Sequence, residues 1–442
     1  MTRRRRILFL CTALTLAPTA FAADLLQSWR DARSFDAQYA AARAAHAAGL
    51  EKLPQGRAGL LPNIGFSANT TWKDDDITLR SSGLPTGATY NSNSWGLSLT
   101  QPLFRWQNWS SYKQAELAVA AAEAQLLLTG QQLMLRLTRS YFDVLLAQEG
   151  LATAQAQKAA ITEQLAAAKR NFEVGASTIT DTHEAQARFD LATAQEIAAD
   201  NELAVKRQAL TSLTGKPANA LLSLRPQVSI QPPQPNAIEP WVKAAGEGSL
   251  NVQLAQSNLQ IAAREVDKQR AGHYPTVDLI ATHGAGGAGF SSFAAGGLDS
   301  KSSSIGLQLA LPLYSGDLTS SREREAIALH EKARADLDNA RRQAQLAARQ
   351  AYLGVTSGLA QINALEAGLA SSQLALQSNK LGYEVGVRIN IDVLNAQSQL
   401  FDTQQKLAKA KLDTLLAQLQ LKAAAGSLSE DDLRGINALL GE

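Results

Sequence analysis

The chain lacks what most catalytic and nucleic-acid-binding proteins need. Of its 442 residues, only Cys11 is a cysteine, and it lies in the leader described below. Without cysteine there is no disulfide, no thiolate metal site and no thiol nucleophile. That composition suits an exported protein in an oxidising compartment. No stretch of 18 apolar residues occurs, which excludes a transmembrane helix. Aromatic residues are only 6% of the chain, so few side chains can fill a wide core. Alanine and glutamine are abundant instead, as in the narrow seams of long bundles. Charge is also balanced. Lys and Arg total 42 against 40 Asp and Glu, so nothing points to a nucleic-acid partner.

The N-terminus reads as a secretory leader. Arg3 to Arg6 form a charged region, Ile7 to Leu16 are mostly apolar, and Ala20-Phe21-Ala22 has the small-x-small form of a cleavage site. The expected signal peptide is 1–22. Leu10 before Cys11 is bulky for a lipoprotein signal, so lipidation is not expected. Cleavage removes four arginines and no acid, leaving 38 basic and 40 acidic residues.

The rest is written twice. Arg57-Ala58-Gly59-Leu60-Leu61-Pro62 returns as Arg270-Ala271-Gly272-His273-Tyr274-Pro275. Gly96-Leu97-Ser98-Leu99-Thr100-Gln101-Pro102-Leu103-Phe104 returns as Gly306-Leu307-Gln308-Leu309-Ala310-Leu311-Pro312-Leu313-Tyr314. Phe172-Glu173-Val174-Gly175 returns as Tyr383-Glu384-Val385-Gly386. Such a long period is a duplicated domain, not a solenoid. The expected units are 23–225 and 241–425, joined by a Pro-rich linker at 226–240 and followed by a C-terminal segment, 426–442. Few residues follow Leu440, so no tail-dependent contact is expected.

Each unit follows one order: helix, strand, polar loop, strand, very long helix, break, return helix. The first helix covers roughly 25–53. Strands are expected at 64–73 and 94–104, then at 276–283 and 303–313. Ile64, Phe66, Ala68, Thr70 and Trp72 alternate with Gly65, Ser67, Asn69, Thr71 and Lys73, the period of a strand with one apolar face. The segments 74–93 and 284–301 read as loops. Each strand is about ten residues, the length that crosses a bilayer when tilted. Trp72, Trp95, Trp106 and Trp109 fall near strand ends, where interfacial anchors belong. Residues 106–174 hold no proline and two glycines, and 320–385 hold no proline. At 1.5 Å per residue each helix would reach roughly 100 Å. Return helices run to about 214 and 425. Four membrane-length strands leave edges that lipid cannot satisfy. Several copies must therefore pool strands into a closed barrel. The pattern alone leaves two, three or four copies open.

The run Gly382-Tyr383-Glu384-Val385-Gly386-Val387-Arg388-Ile389-Asn390-Ile391-Asp392-Val393-Leu394-Asn395-Ala396-Gln397 resembles the TolC family of outer-membrane channels. So do Gly426-Ser427-Leu428-Ser429-Glu430-Asp431-Asp432-Leu433 and the Leu-Pro strand entries. The resemblance implies an α+β membrane protein. Three protomers would give four strands each to a 12-stranded outer-membrane barrel, continued by a coiled-coil tunnel in the periplasm. It also implies a homotrimer working with a periplasmic adaptor and an inner-membrane pump of RND or ABC type, without cofactor or catalysis.

The resemblance further assigns roles near the tunnel end. Asp392 would form an acidic selectivity ring. The family's pattern carries a second aspartate one helical turn on, where this chain has Asn395. Weaker cation selectivity and weaker block by multivalent cations are therefore expected. Tyr383 and Arg388 would lock against Asp181. Val174, Gly175, Ala176, Ser177, Val385, Gly386 and Val387 would meet the adaptor. Read without the resemblance, Arg388 and Asp181 are solvated helix-end charges, and the glycines are turn residues.

Other motifs fail inspection. Gly284-Ala285-Gly286-Gly287-Ala288-Gly289 fits G-x-G-x-x-G, but no helical pattern opens after it. His183-Glu184 lacks a second histidine, and Ser110-Ser111-Tyr112-Lys113 lacks companion motifs. The expected function is a passive export duct for drugs or proteins. A dedicated type I protein-secretion channel, a periplasmic scaffold without a pore, and an exported enzyme are the alternatives.

Overall fold

In a computed structural model of the protein, the described residues are 24–78, 85–175, 177–225, 228–289 and 297–441. The expected leader, Ala176 and Pro226 lie outside them. The first unit begins with three helices where the sequence predicted one: α1 (Leu25–Phe35), α2 (Ala37–Leu50) and α3 (Lys52–Ala58). Asp36 makes the first break. Its backbone is extended, and its carboxylate accepts the Tyr39 N–H at 2.7 Å, an N-cap. The same buried carboxylate takes the Arg136 guanidinium at 3.1 Å.

Next come β1 (Asn63–Thr78) and β2 (Pro85–Phe104), then α4 (Trp106–Glu173) and α5 (Ile179–Thr214). A two-residue β3 (Ser223–Leu224) precedes the linker. The second unit is α6 (Ile238–Gly248), α7 (Leu250–Arg270), β4 (Thr276–Ala288), β5 (Leu298–Ala310), α8 (Leu318–Glu384) and α9 (Asn390–Ala424). Finally α10 (Glu430–Asn437) and β6 (Leu440–Gly441) close the chain. α4 has 68 residues and α8 has 67, so the predicted rods of roughly 100 Å are present.

The strands run well past their expected ends on the loop side. Much of 74–93 and 284–301 is ladder, not loop: Asp76 faces Gly87, and Gly284 faces both Gly96 and Ser302. Period-2 hydrophobicity reveals a strand only where one face is apolar. These outer rungs are polar or glycine- and alanine-rich, with no run of large apolar side chains on one face, and rest on backbone pairing, with additions such as Thr89 Oγ1 donating to Asp74 at 2.9 Å. At the other end β5 stops at Ala310, short of the predicted 313. Ala310 pairs with Thr276, the first residue of β4, so nothing remains for Leu311 to pair with.

The four long strands form one antiparallel sheet in the order β1-β2-β4-β5. β2 and β4 join the two units, leaving β1 and β5 as open edges. Pro102, which has no N–H, sits where the β2–β4 register shifts.

The main core lies below the sheet. Leu133, Leu137 and Tyr141 of α4 are fully buried against Leu25 and Trp29 of α1, Leu210 of α5, Leu415 and Leu419 of α9 and Leu433 of α10. The Tyr141 hydroxyl donates to the Leu222 carbonyl at 2.9 Å, and burial pushes its pKa up. A second core of Ala245, Val252, Leu337, Ala344 and Ala348 joins α6, α7 and α8 through alanine contacts. α7 packs on both long helices, α4 and α8.

The linker is three residues shorter than expected, because α6 starts at Ile238 and takes Pro240 into its first turn, where proline is tolerated. It lies along α9, with Gln418 Nε2 donating to the Gln231 carbonyl at 2.7 Å. β3 pairs with β6, so the C-terminal segment is stitched to the chain just before the linker.

Candidate gate at the helical tips

The two long helices end in turns of one design. Val174 and Val385 have the same backbone angles, φ −91° and ψ 3°. Gly175 (φ 74°) and Gly386 (φ 77°) follow in the left-handed region, where a side chain would be strained. The Gly175 N–H donates to Phe172 and the Gly386 N–H to Tyr383, each at 3.0 Å. Ser177 N–H reaches back to Asn171, and Val387 and Arg388 to Gly382, which satisfies the last carbonyls. Val174 and Val387 are each 77% exposed, so apolar knobs stand on the turns.

Asp181 opens α5. With Thr178 it forms a capping box: Thr178 Oγ1 accepts the Asp181 N–H at 3.3 Å, and the Asp181 carboxylate accepts the Thr178 N–H at 3.0 Å. Asp392 lies in the first turn of α9, where a carboxylate suits the helix dipole. Arg388 stands 3.7 Å from Asp392, an i,i+4 ion pair that is largely exposed and therefore weak. Within the protomer, then, Arg388 is matched with Asp392 and Asp181 with its own cap. The structure does not bring Arg388 to Asp181 in a single chain.

Two side-chain bonds tie the α4–α5 pair to the α8–α9 pair here. Asn171 Nδ2 donates to Tyr383 Oη at 3.2 Å. Arg188 Nη2 donates to Asn395 Oδ1 at 2.8 Å. Around the second bond, Ile161 of α4, Ala192 of α5 and Leu394 of α9 form a small apolar cluster. Thr182 Oγ1, Asn390 Oδ1 and Gln397 Oε1 are buried on the helices of this seam with no hydrogen-bond partner in the protomer. Sequence reasoning picked out Tyr383 and Asn395 but missed Asn171 and Arg188. The signal for Arg188 was its heptad spacing: it lies seven residues, two helical turns, beyond Asp181. Among the described residues no cluster of His, Cys, Asp or Glu has the form of a metal site.

A duplicated hairpin-and-rod plan with paired glycine turns is a specific signature. The family profile described as Outer membrane efflux protein matches residues 30–216 and 241–427, one match per unit. The chain belongs to the outer membrane efflux protein family. It is 31% identical over 433 residues to "Outer membrane protein TolC" of Vibrio cholerae serotype O1, covering 98% of this chain and 97% of that one. It is 33% identical to "Alkaline protease secretion protein AprF" of Pseudomonas aeruginosa, covering 99% and 92%. It is 31% identical to "Proteases secretion protein PrtF" of Dickeya chrysanthemi, covering 98% and 95%. Its fold is that of the outer membrane protein VceC of Vibrio cholerae, with a TM-score of 0.78, 19% identity, and 91% and 96% of the two chains covered. The CmeC outer membrane channel of Campylobacter jejuni gives 0.79, at 17% identity and 94% and 89% coverage. As a member of this efflux family the chain is an outer-membrane protein.

Proposed function

We propose that this efflux-family protein is the exit duct of a tripartite export system. Three copies close a 12-stranded barrel in the outer membrane. Their helices continue the wall as a tunnel through the periplasm. A periplasmic adaptor docks at the helical tips, and an inner-membrane pump of RND or ABC type drives substrate in. The observation that carries this reading is one sheet of membrane-length strands with both edges open, set on paired rods of roughly 100 Å. A sheet with open edges is untenable in lipid, and pooling strands removes the edges. The duct does no chemistry.

The tips form its gate. Asp392 supplies one acidic ring, softened by Arg388 at 3.7 Å and unsupported by a second carboxylate at Asn395. The lock between Arg388 and Asp181 forms between neighbouring copies, since within one copy both are otherwise matched. The valines of the two turns, with Gly175, Ser177 and Gly386, present the adaptor-binding surface. Single-channel recording of the purified protein in planar bilayers tests the reading. A small, weakly cation-selective conductance is expected, with selectivity lost in Asp392→Ala and conductance raised in Arg388→Ser. Well-folded protein that never conducts, in any of these forms, refutes the duct.

A second reading is favoured by the names of two relatives, AprF and PrtF, each a protease secretion protein. In it the cargo is an unfolded protein and not a small toxic compound. Loss of a secreted protease from culture medium on gene deletion, without a change in drug sensitivity, would select it.

A further inference from the structure

At the gate seam one guanidinium is held by a neutral group. Arg188 Nη2 donates to Asn395 Oδ1 at 2.8 Å. Among the described residues no carboxylate lies within ion-pair distance of Arg188. The nearby carboxylates of α5 are otherwise engaged. Asp181 serves the Thr178 cap, Asp190 accepts the Gln186 amide at 3.0 Å, and Glu196 takes Lys158 at 2.8 Å. Exposed Glu184 stands one turn before Arg188, at the spacing of a helix ion pair, yet the guanidinium turns to α9 instead. Lys158 is thus compensated, and Arg188 is not.

Packing, and not this bond, sets where Arg188 stands. Ala192 lies one turn beyond it, and Leu394 directly precedes Asn395. Both are buried and pack with Ile161 of α4. An apolar contact therefore brings the two backbones together, and a change of side chain at 188 leaves it in place. Asn395 follows Asp392 by three residues, so the two are neighbours on one face of α9, with Cβ atoms about 5–6 Å apart. Arg388 precedes Asp392 by four residues and stands 3.7 Å from it. Asp392 is flanked by two cationic side chains, one on each side along the helix. When Arg388 leaves for the partner subunit's Asp181, Arg188 is the cation that stays.

We propose that Arg188 is a specificity-determining residue of the gate: its guanidinium, held on Asn395, offsets the Asp392 carboxylate and leaves the constriction close to neutral. The charge acts at this range because it lies within a Debye length, about 10 Å at 0.1 M salt. Cargo of net negative charge is then not turned back at the tips, as it would be by a bare ring of carboxylates. This role rests on the duct reading, with Asp392 at the constriction.

The permeability ratio of potassium to chloride tests it, taken from reversal potentials of the purified protein in planar bilayers under a salt gradient. Arg188→Gln keeps a hydrogen-bonding amide and removes the charge. It should raise the ratio at least about twofold near 0.1 M salt, with a smaller gain near 1 M, where the Debye length is about 3 Å. Arg188→Lys keeps the charge without the planar fork and should hold the ratio of the unaltered protein. Asn395→Asp should change the ratio little, because Arg188 takes the new carboxylate as an ion pair. Asn395→Asp together with Arg188→Gln should raise it beyond the two single effects combined. A residue that only ties α5 to α9 would move conductance in both Arg188 variants and the ratio in neither. An unchanged ratio in Arg188→Gln, in a conducting protein that loses selectivity in Asp392→Ala, overturns the role of Arg188 and leaves the duct standing. Equal shifts of the ratio in Arg188→Gln and Arg188→Lys overturn it as well. If Asp392→Ala keeps the ratio, there is no ring to offset, and the role falls. Conductance absent from every form refutes the duct, and the role of Arg188 with it.

Discussion

Replacing Gly284 with alanine tests whether the glycine-rich stretch is a ladder or a loop. A Cβ built at Gly284 would lie 2.6 Å from the Trp95 carbonyl oxygen and 3.2 Å from Gly96 Cα, both backbone atoms on the neighbouring strand. Ordinary contact begins at 3.4 Å. Relief therefore requires β2 and β4 to part by about 0.8 Å, a gap that takes a 2.9 Å ladder bond beyond useful length. Within a bilayer, no water replaces what is lost, and a cost of about 2–4 kcal/mol per chain follows. The neighbouring glycines are controls. Gly286→Ala meets the Asn93 oxygen at 3.2 Å and needs only a few tenths of an ångström. Gly287→Ala meets only the Asp299 carboxylate, which can rotate away. The expected order of lost stability is Gly284, then Gly286, then Gly287. The purified protein in detergent, heated and followed by electrophoretic mobility and tryptophan fluorescence, gives the order. If Gly284→Ala and Gly287→Ala melt alike, the stretch is not paired as described and the reasoning fails.

Three further outcomes are expected. Gly426→Ala should cost at least about 2 kcal/mol, because φ is 74° and a Cβ there overlaps the Gly248 carbonyl; an unchanged denaturation midpoint would contradict this. Asp36→Ala should cost about 2–3 kcal/mol by removing both the cap on α2 and the partner of Arg136, whereas Asp36→Asn should keep the cap and lose less. Chemical denaturation of the two variants, side by side, separates the terms. Tyr141→Phe should cost about 1 kcal/mol by leaving the half-buried Leu222 carbonyl without its donor, with the fold and the channel properties otherwise unchanged.

The duplication, the rods and the strand cores were legible because each rests on a local repeat. Alternation marks β1 near Ile64 and Phe66, and the lack of helix breakers marks α4 and α8. The turn glycines announced the tips, and the structure gives them matching left-handed φ. What escaped was non-local. The upper rungs, Asp74 to Thr78 and Gly284 to Ala288, are held by backbone pairing with another strand and carry no apolar face to advertise it. At the first break of the leading helix, the carboxylate of Asp36 meets Arg136, 100 residues away. The β3–β6 stitch joins Leu224 to Leu440 with no local sign in either.

At the gate the division is the same. The sequence pointed to Tyr383, Arg388, Asp392 and Asn395, because they lie in one run that resembles the TolC family. It did not find Asn171 or Arg188, whose partners lie on another helix pair. Nor could it show that Arg388 rests on Asp392 in a single copy while Asp181 serves its own cap. Hydrophobic period, glycine placement and duplication are written along the chain, so the sequence by itself determined the long rods, the strand cores and their twofold plan. Which strand pairs with which, and which side chain meets which across the coils, depends on distances between residues remote in the chain, and only the tertiary structure decided those.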